Sequence, residues 1–176
     1  MRIEVENLRG KGEGFFKHSY APDEIKLEDE TARLVSSAVV IGNAGLKGEE
    51  VRVRGAITTE VELLCDRCAA PSVGPLEVEF DARFIPQTKA AGETDNVELL
   101  PEDLGVAAYE GDAVDLDDLV REQILLALPS RNLCREDCKG LCQKCGANLN
   151  GEDCSCEQGE VDPRWAALAD LKNREP

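Results

Sequence analysis

Cysteine is the residue type with the most chemistry to offer in this chain, and six of its eight cysteines fall between Cys134 and Cys156. The stretch reads CREDCKGLCQKCGANLNGEDCSC, with gaps of three, three, two, eight and one residue between successive cysteines. Cys142 and Cys145 make a C-x2-C pair closed at once by Gly146. That spacing lets two thiolates converge on one ion while backbone N–H groups point at the sulfurs, and the glycine supplies the positive φ such a turn needs. After a turn at Asn148–Gly151, Cys154 and Cys156 lie close enough in sequence to complete a four-thiolate site. A tetrahedral Zn2+ ion is the expected occupant, with Cys134, Cys138, Cys142, Cys145, Cys154 and Cys156 as candidate ligands. The competing reading is a cluster of disulfides.

The remaining pair, Cys65 and Cys68, is a second C-x2-C at the end of a predicted strand. Three readings stand side by side. The pair could share a second zinc ion with two of the other cysteines, act as a thiol redox pair, or be two buried thiols. Redox pairs usually open a helix whose N-terminus lowers the thiol pKa. Here Pro71, Gly74 and Pro75 follow and argue for a turn.

The elements that must position these residues read mainly as strands. Ile3–Glu6 alternates, a glycine-rich region spans Arg9–Gly14, and the aromatic pair Phe15-Phe16 precedes the lone His18. Ala32–Val35 and Ala38–Ile41 are β-branched runs, with a turn expected over Gly42–Gly48. Val51–Arg54, Ile57–Leu63, Leu76–Phe80 and Ala82–Ile85 alternate with period two, as half-buried antiparallel strands do. Residues 86–111 read as a long loop, with a short strand at Asn96–Leu100. Leu116, Leu119, Val120, Gln123, Ile124, Ala127 and Leu128 then share one helical face. Asp115 is placed to cap that helix and Pro129 to end it. A second helix is predicted at 162–173, opened by Asp162-Pro163 and carrying Trp165. The fold class is therefore α+β. An antiparallel meander or small barrel carries a covering helix (residues 1–128), followed by a cysteine-rich zinc module with a terminal helix (residues 129–176).

Charge narrows the partners. Twenty Lys and Arg face 36 Asp and Glu, a formal net charge of −16. Residues 92–128 hold eleven acids against Arg121 alone. Extended binding along an RNA backbone needs the opposite balance, so a basic protein partner is the easier inference. The opening MRIEVENLRGKGEGFF has no apolar run of a secretory signal, and nothing approaches a membrane span. A cytoplasmic, reducing setting is expected, which favours metal over disulfides.

No catalytic constellation is present in the sequence. With one histidine a His-ligated catalytic zinc cannot be built, and an all-cysteine site leaves no position for an activated water. No catalytic residue is assigned, and the expectation is a non-enzymatic protein.

Four segments carry a resemblance: LLCDRC at Leu63–Cys68, DLDDLVREQILLALP at Asp115–Pro129, LCREDCKGLCQKCGANLN at Leu133–Asn150, and CSC…DPRWAALADL from Cys154 to Leu171. Together, in this order, they resemble the bacterial YceD family, the large ribosomal RNA subunit accumulation proteins. The resemblance implies a role in making or stabilising large-subunit ribosomal RNA, with ribosomal proteins or assembly factors of the large subunit as partners. It further implies that Cys65 and Cys68 serve the shared role while the six-cysteine segment stabilises this branch. The rival function is a redox or metal-handling protein working through Cys65 and Cys68.

Overall fold

In the computed structural model, residues 1–10, 12–90, 105–151 and 153–156 are described. The elements run β1 (Arg2–Glu4), a 3-10 turn (Val5–Leu8), β2 (Glu13–Tyr20), β3 (Ala32–Leu34), β4 (Ala38–Lys47), β5 (Glu50–Leu64) and β6 (Pro71–Pro86). A single-turn helix α1 (Gln87–Ala90), β7 (Val106–Tyr109), β8 (Ala113–Asp115) and α2 (Asp117–Ala127) follow. None of these helices is long and apolar enough to cross a membrane.

The β5–β6 hairpin is the spine. Its strands pair from Val51↔Phe84 to Leu64↔Pro71, and the cysteine pair Cys65/Cys68 forms its tip. Along one edge of β5 lie β4 and then the short β3, whose Leu34 pairs with Val61 near the tip. The sheet runs in the order β2-β4-β5-β6-β7, with β1 and β8 forming a separate ribbon. Alternation decides the faces. Val40, Val51, Val53 and Ile57 are fully buried on one side, in one core with Val114 of β8, Val120 and Ile124 of α2, and Leu116 between them. Arg52 donates to Asp81 at 2.8 Å and Arg33 to Glu62 at 2.6 Å on the opposite, solvated side.

The sheet is open and mostly antiparallel, with one helix longer than a single turn among the described residues. Of the two arrangements expected, closure into a barrel does not occur: β2 and β7 end the sheet without pairing each other. The apolar face is instead closed by α2 and by Ile25 and Leu27 of the β2–β3 connection. One ladder departs from the antiparallel expectation, since β7 pairs parallel to the end of β6, Arg83↔Val106 to Pro86↔Tyr109.

Several boundaries also shift. The strand expected at Ile3–Glu6 ends at Glu4, where Val5 N–H bonds the Asp112 carbonyl at 2.8 Å and the chain winds into the 3-10 turn. The turn expected over Gly42–Gly48 is strand as far as Lys47, and the Pro71–Pro75 turn is the start of β6. Prolines are tolerated there because the outer edge of β6 pairs with β7 only from Arg83 onward. Gly42 is strand for a different reason. The row Phe16–Gly42–Gly55–Phe80 crosses four strands in register on the buried face. A β-carbon on Gly55 would lie 2.5 Å from the Ile41 carbonyl and 2.9 Å from Phe80 Cζ. The rings thus fill the space the glycines leave.

Helix α2 forms where its periodicity predicts. Asp115 acts on its first turn, its Oδ1 accepting the Asp117 N–H at 3.0 Å, while Leu116 occupies the cap position. Tyr20 of β2 donates its hydroxyl to Asp117 Oδ1 at 2.7 Å. Burial and that carboxylate hold the phenol above its ordinary range. The strand expected at Asn96–Leu100 and the helix expected at 162–173, with Trp165, lie outside the described residues.

Gly55→Ala should therefore be costly despite adding one methyl group. We expect a loss of about 1–3 kcal/mol from overpacking, read as a lower urea midpoint at unchanged slope. An unchanged midpoint would show that the sheet has room at this crossing.

Candidate metal centres

The two C-x2-C turns are built alike, residue for residue. In the first, Ala69 N–H donates to the Cys65 carbonyl at 2.8 Å and Cys65 N–H to the Ala70 carbonyl at 2.9 Å. In the second, Gly146 N–H donates to the Cys142 carbonyl at 2.9 Å and Cys142 N–H to the Ala147 carbonyl at 2.8 Å. The closing residue is left-handed in both, φ 54° at Ala69 and φ 76° at Gly146. Neither turn opens a helix; the first leads into β6.

Around each turn four sulfurs converge. Cys65, Cys68, Cys134 and Cys138 form one group and Cys142, Cys145, Cys154 and Cys156 the other, every sulfur within 4.8 Å of its three companions. Sulfur separations include 3.8 Å for Cys65–Cys138, 3.6 Å for Cys68–Cys134, 3.5 Å for Cys145–Cys154 and 3.3 Å for Cys142–Cys154. A tetrahedron of thiolates about 2.3 Å from a central ion has edges of about 3.8 Å, whereas a disulfide needs about 2.05 Å. All eight cysteines are free thiols. Both groups could hold a metal ion. Cys65, Cys68 and Cys138 are buried, while Cys145 and Cys156 are exposed.

Protonation within each group is uneven. Backbone N–H groups of Cys134, Arg67 and Cys68 point at the Cys65 sulfur and bring its thiol down to about 6, against the opposing effect of burial. Those of Cys145 and Lys144 bring Cys142 down to about 6. Burial and the neighbouring Cys68 sulfur push Cys134 up to about 12, and the sulfurs of Cys154 and Cys145 do the same to Cys156. One proton thus leaves easily and the last resists. Ionising all four sulfurs requires positive charge at their centre, which is what a divalent cation supplies.

Four residues that sequence reasoning passed over, Asp66, Arg67, Asn132 and Gly140, hold the first group together. Asn132 N–H donates to Asp66 Oδ2 at 2.8 Å, and Asp66 N–H returns a bond to the Asn132 carbonyl at 2.9 Å. The Asn132 side chain also donates to the Leu64 carbonyl at 3.1 Å. Arg67 Nη1 donates to the Cys138 carbonyl at 2.7 Å, and the Arg67 carbonyl accepts Leu141 N–H at 3.1 Å. Gly140 permits that approach: a β-carbon there would lie 3.0 Å from the Arg67 carbonyl oxygen, and its φ is 78°. No local pattern marks Asn132 or Arg67, because their partners are distant in sequence.

With the site laid out, relatives can be compared. The family model described as "Large ribosomal RNA subunit accumulation protein YceD" matches residues 53–172, a span holding all eight cysteines. This chain belongs to the YceD family. An uncharacterized Mycobacterium tuberculosis protein is 31% identical over 123 residues, covering 70% of this chain and 56% of that protein. The chain thus spans about half the length of the mycobacterial relatives it matches. The uncharacterized protein YlbN of Bacillus subtilis is 29% identical over 160 residues, 89% of this chain and 86% of that one. An Arabidopsis thaliana protein named as a chloroplastic YCED homolog is 34% identical over 61 residues, 35% of this chain and 19% of its own length. No solved structure matches the chain.

In this YceD protein the sulfurs group as four and four, the arrangement expected if Cys65 and Cys68 join two of the other cysteines. Cys65 and Cys68 take Cys134 and Cys138 as companions, since the hairpin tip and residues 132–141 are strapped together. Cys142, Cys145, Cys154 and Cys156 meet as their spacing predicts. His18 stands apart from both groups, its ring edge-to-face with Tyr20 at 4.4 Å.

The matched turns yield a prediction. A left-handed alanine is strained by roughly 1 kcal/mol relative to glycine, so Ala69→Gly should preserve or raise the thermal midpoint of the metal-loaded protein. Gly146→Ala should lower it. Were Ala69→Gly the damaging change of the two, the equivalence of the turns would be wrong.

Proposed function

We propose that the chain is a non-enzymatic, zinc-stapled factor supporting accumulation of large-subunit ribosomal RNA, acting in the cytoplasm through basic ribosomal proteins or assembly factors. The observation that carries this reading is the family match over residues 53–172, the span containing both four-sulfur groups. Two sites closed by four thiolates each have no open position for a substrate or activated water. Soft sulfur donors in a tetrahedron select zinc or iron, and a site without a redox task favours zinc. In this reading residues 129–176 form the metal module and residues 1–128 the body, and the first ion is shared between them. Thiol redox work by Cys65 and Cys68 finds little support. They are 3% and 5% exposed, and no helix follows to activate them.

The acidic surface supports a basic partner. A groove of about 910 Å3 runs between α2 and the β6–β7 end of the sheet. Phe84, Val106 and Leu119 line it, Leu126 is 72% exposed at its end, and five carboxylates outnumber two arginines around it. An exposed leucine among carboxylates suits a basic segment with an apolar anchor residue.

Two measurements test the reading. Elemental analysis of the reduced protein should give two zinc ions per chain; Cys65→Ser and Cys142→Ser should each lose about one. Iron in their place would change the ion, and an absence of metal in the native protein would remove the staple. Depletion from cells should lower the ratio of large to small ribosomal subunits in sedimentation profiles. Glu122→Lys combined with Asp118→Lys should fold yet restore large subunits less than half as well as wild type. Full rescue by that variant would move the partner surface elsewhere.

A further inference from the structure

Asn150 lies in the loop between Cys145 and Cys154 of the second sulfur group, but its side chain is spent largely on the first. Its Oδ1 accepts from Arg135 Nη2 at 2.7 Å and from Lys139 N–H at 2.8 Å. Its Nδ2 donates to Cys138 Sγ at 3.3 Å and to Asn148 Oδ1 at 2.8 Å. Every donor and acceptor site of the carboxamide is thereby used. The orientation follows from the partners. Oxygen must face Arg135 and the Lys139 N–H, which only donate, so nitrogen must face the sulfur.

The backbone repeats the connection. Leu149 N–H donates to the Gly140 carbonyl at 3.0 Å, and Leu141 bridges Asn148 in antiparallel fashion. Gly140 in turn abuts Arg67 at the hairpin tip. The loop that closes the second group is thus laid directly onto residues 135–141, which carry Cys138 of the first.

We infer that Asn150 couples the two metal centres, so that closing the second four-sulfur site around its ion raises the affinity of the first. This rests on reading both groups as zinc sites. Four thiolates around a divalent ion keep a net negative charge, and an N–H aimed at one of them stabilises that charge. The donor on Cys138 is held in place only when the segment carrying Asn148 and Asn150 lies against residues 135–141. Loop closure is in turn what the second ion enforces, through Cys142 and Cys145 on one side and Cys154 and Cys156 on the other. By linkage the coupling runs both ways: filling the first site tightens the second by the same factor.

The full chain, stripped of metal under reducing conditions, can be titrated with zinc against a chromophoric chelator, and with cobalt to read thiolate-to-metal absorption. In wild type two ions should bind with positive cooperativity. Cys142→Ser with Cys145→Ser, which removes the second site, should weaken zinc at the first by about 10–100-fold, the usual cost of a lost supporting hydrogen bond to a ligand. Asn150→Ala should weaken the first site similarly while leaving a second four-sulfur cobalt spectrum. Adding the double cysteine change to Asn150→Ala should then cost the first site no more than threefold further. Asn150→Asp, which sets a carboxylate against the thiolate, should be worse than Ala. First-site affinity that ignores both Asn150→Ala and loss of the second site would overturn the coupling while leaving the zinc reading intact. Wild-type protein that binds neither zinc nor cobalt through sulfur would instead overturn the zinc reading, and the coupling with it.

Discussion

The meeting of Cys65 and Cys68 with Cys134 and Cys138 is the constraint on which the rest of the chain depends. Cys65 and Cys138 are 73 positions apart and Cys68 and Cys134 are 66. Closing so long a loop costs conformational entropy that grows only slowly with length, a few kcal/mol in all. The hydrogen bonds of Asn132 and Arg67 offset part of it. A structural zinc bound by four thiolates contributes on the order of 10 kcal/mol or more and would fix the geometry outright. The second group then has a foundation, since its own loop is built on residues 135–141.

The sheet exists, in this light, to hold one turn still. β5 and β6 would splay at their tip if unsupported, and β3, though three residues long, pairs with Val61–Leu63 where β4 no longer reaches. Farther back, two phenylalanine rings lie over two glycines, which keeps the middle of the sheet close-packed without side chains of its own. Helix α2 presses Val120 and Ile124 into the same apolar face. Positioning of the sulfur site therefore begins well back along both strands, at Gly55 of β5 and Phe80 of β6.

What could be read from the sequence was what is decided locally. Alternation located β5 and β6, the apolar stripe located α2, and the C-x2-C spacing located both sulfur turns. The choice of Cys134 and Cys138 as companions for the hairpin pair is tertiary. It turns on Asn132 meeting Asp66 and on Gly140 sliding under Arg67, neither of which has a local signature. Gly42 looked like a turn because glycine disfavours strands on its own account, and only Phe16 from the neighbouring strand reverses that. Likewise Pro71 and Pro75 suggested a break, because nothing local reveals that no described strand pairs with their outer edge. The parallel β7 was beyond reach for the same reason.

The ion pairs across the outer face have an effect larger than their individual strength. Arg33–Glu62, Arg52–Asp81 and Arg54–Glu13 cancel charge strand by strand on that side. Glu110, Asp112, Asp115, Asp117, Asp118 and Glu122 are concentrated near α2, where Arg2, Arg121 and the N-terminal ammonium pair with only three of them. Among the described residues, charge is consequently paired on the outer face and mostly acidic beside α2. A surface of that kind would turn a cationic body toward the helix side before contact, and would raise the encounter rate at low salt without adding a single bond.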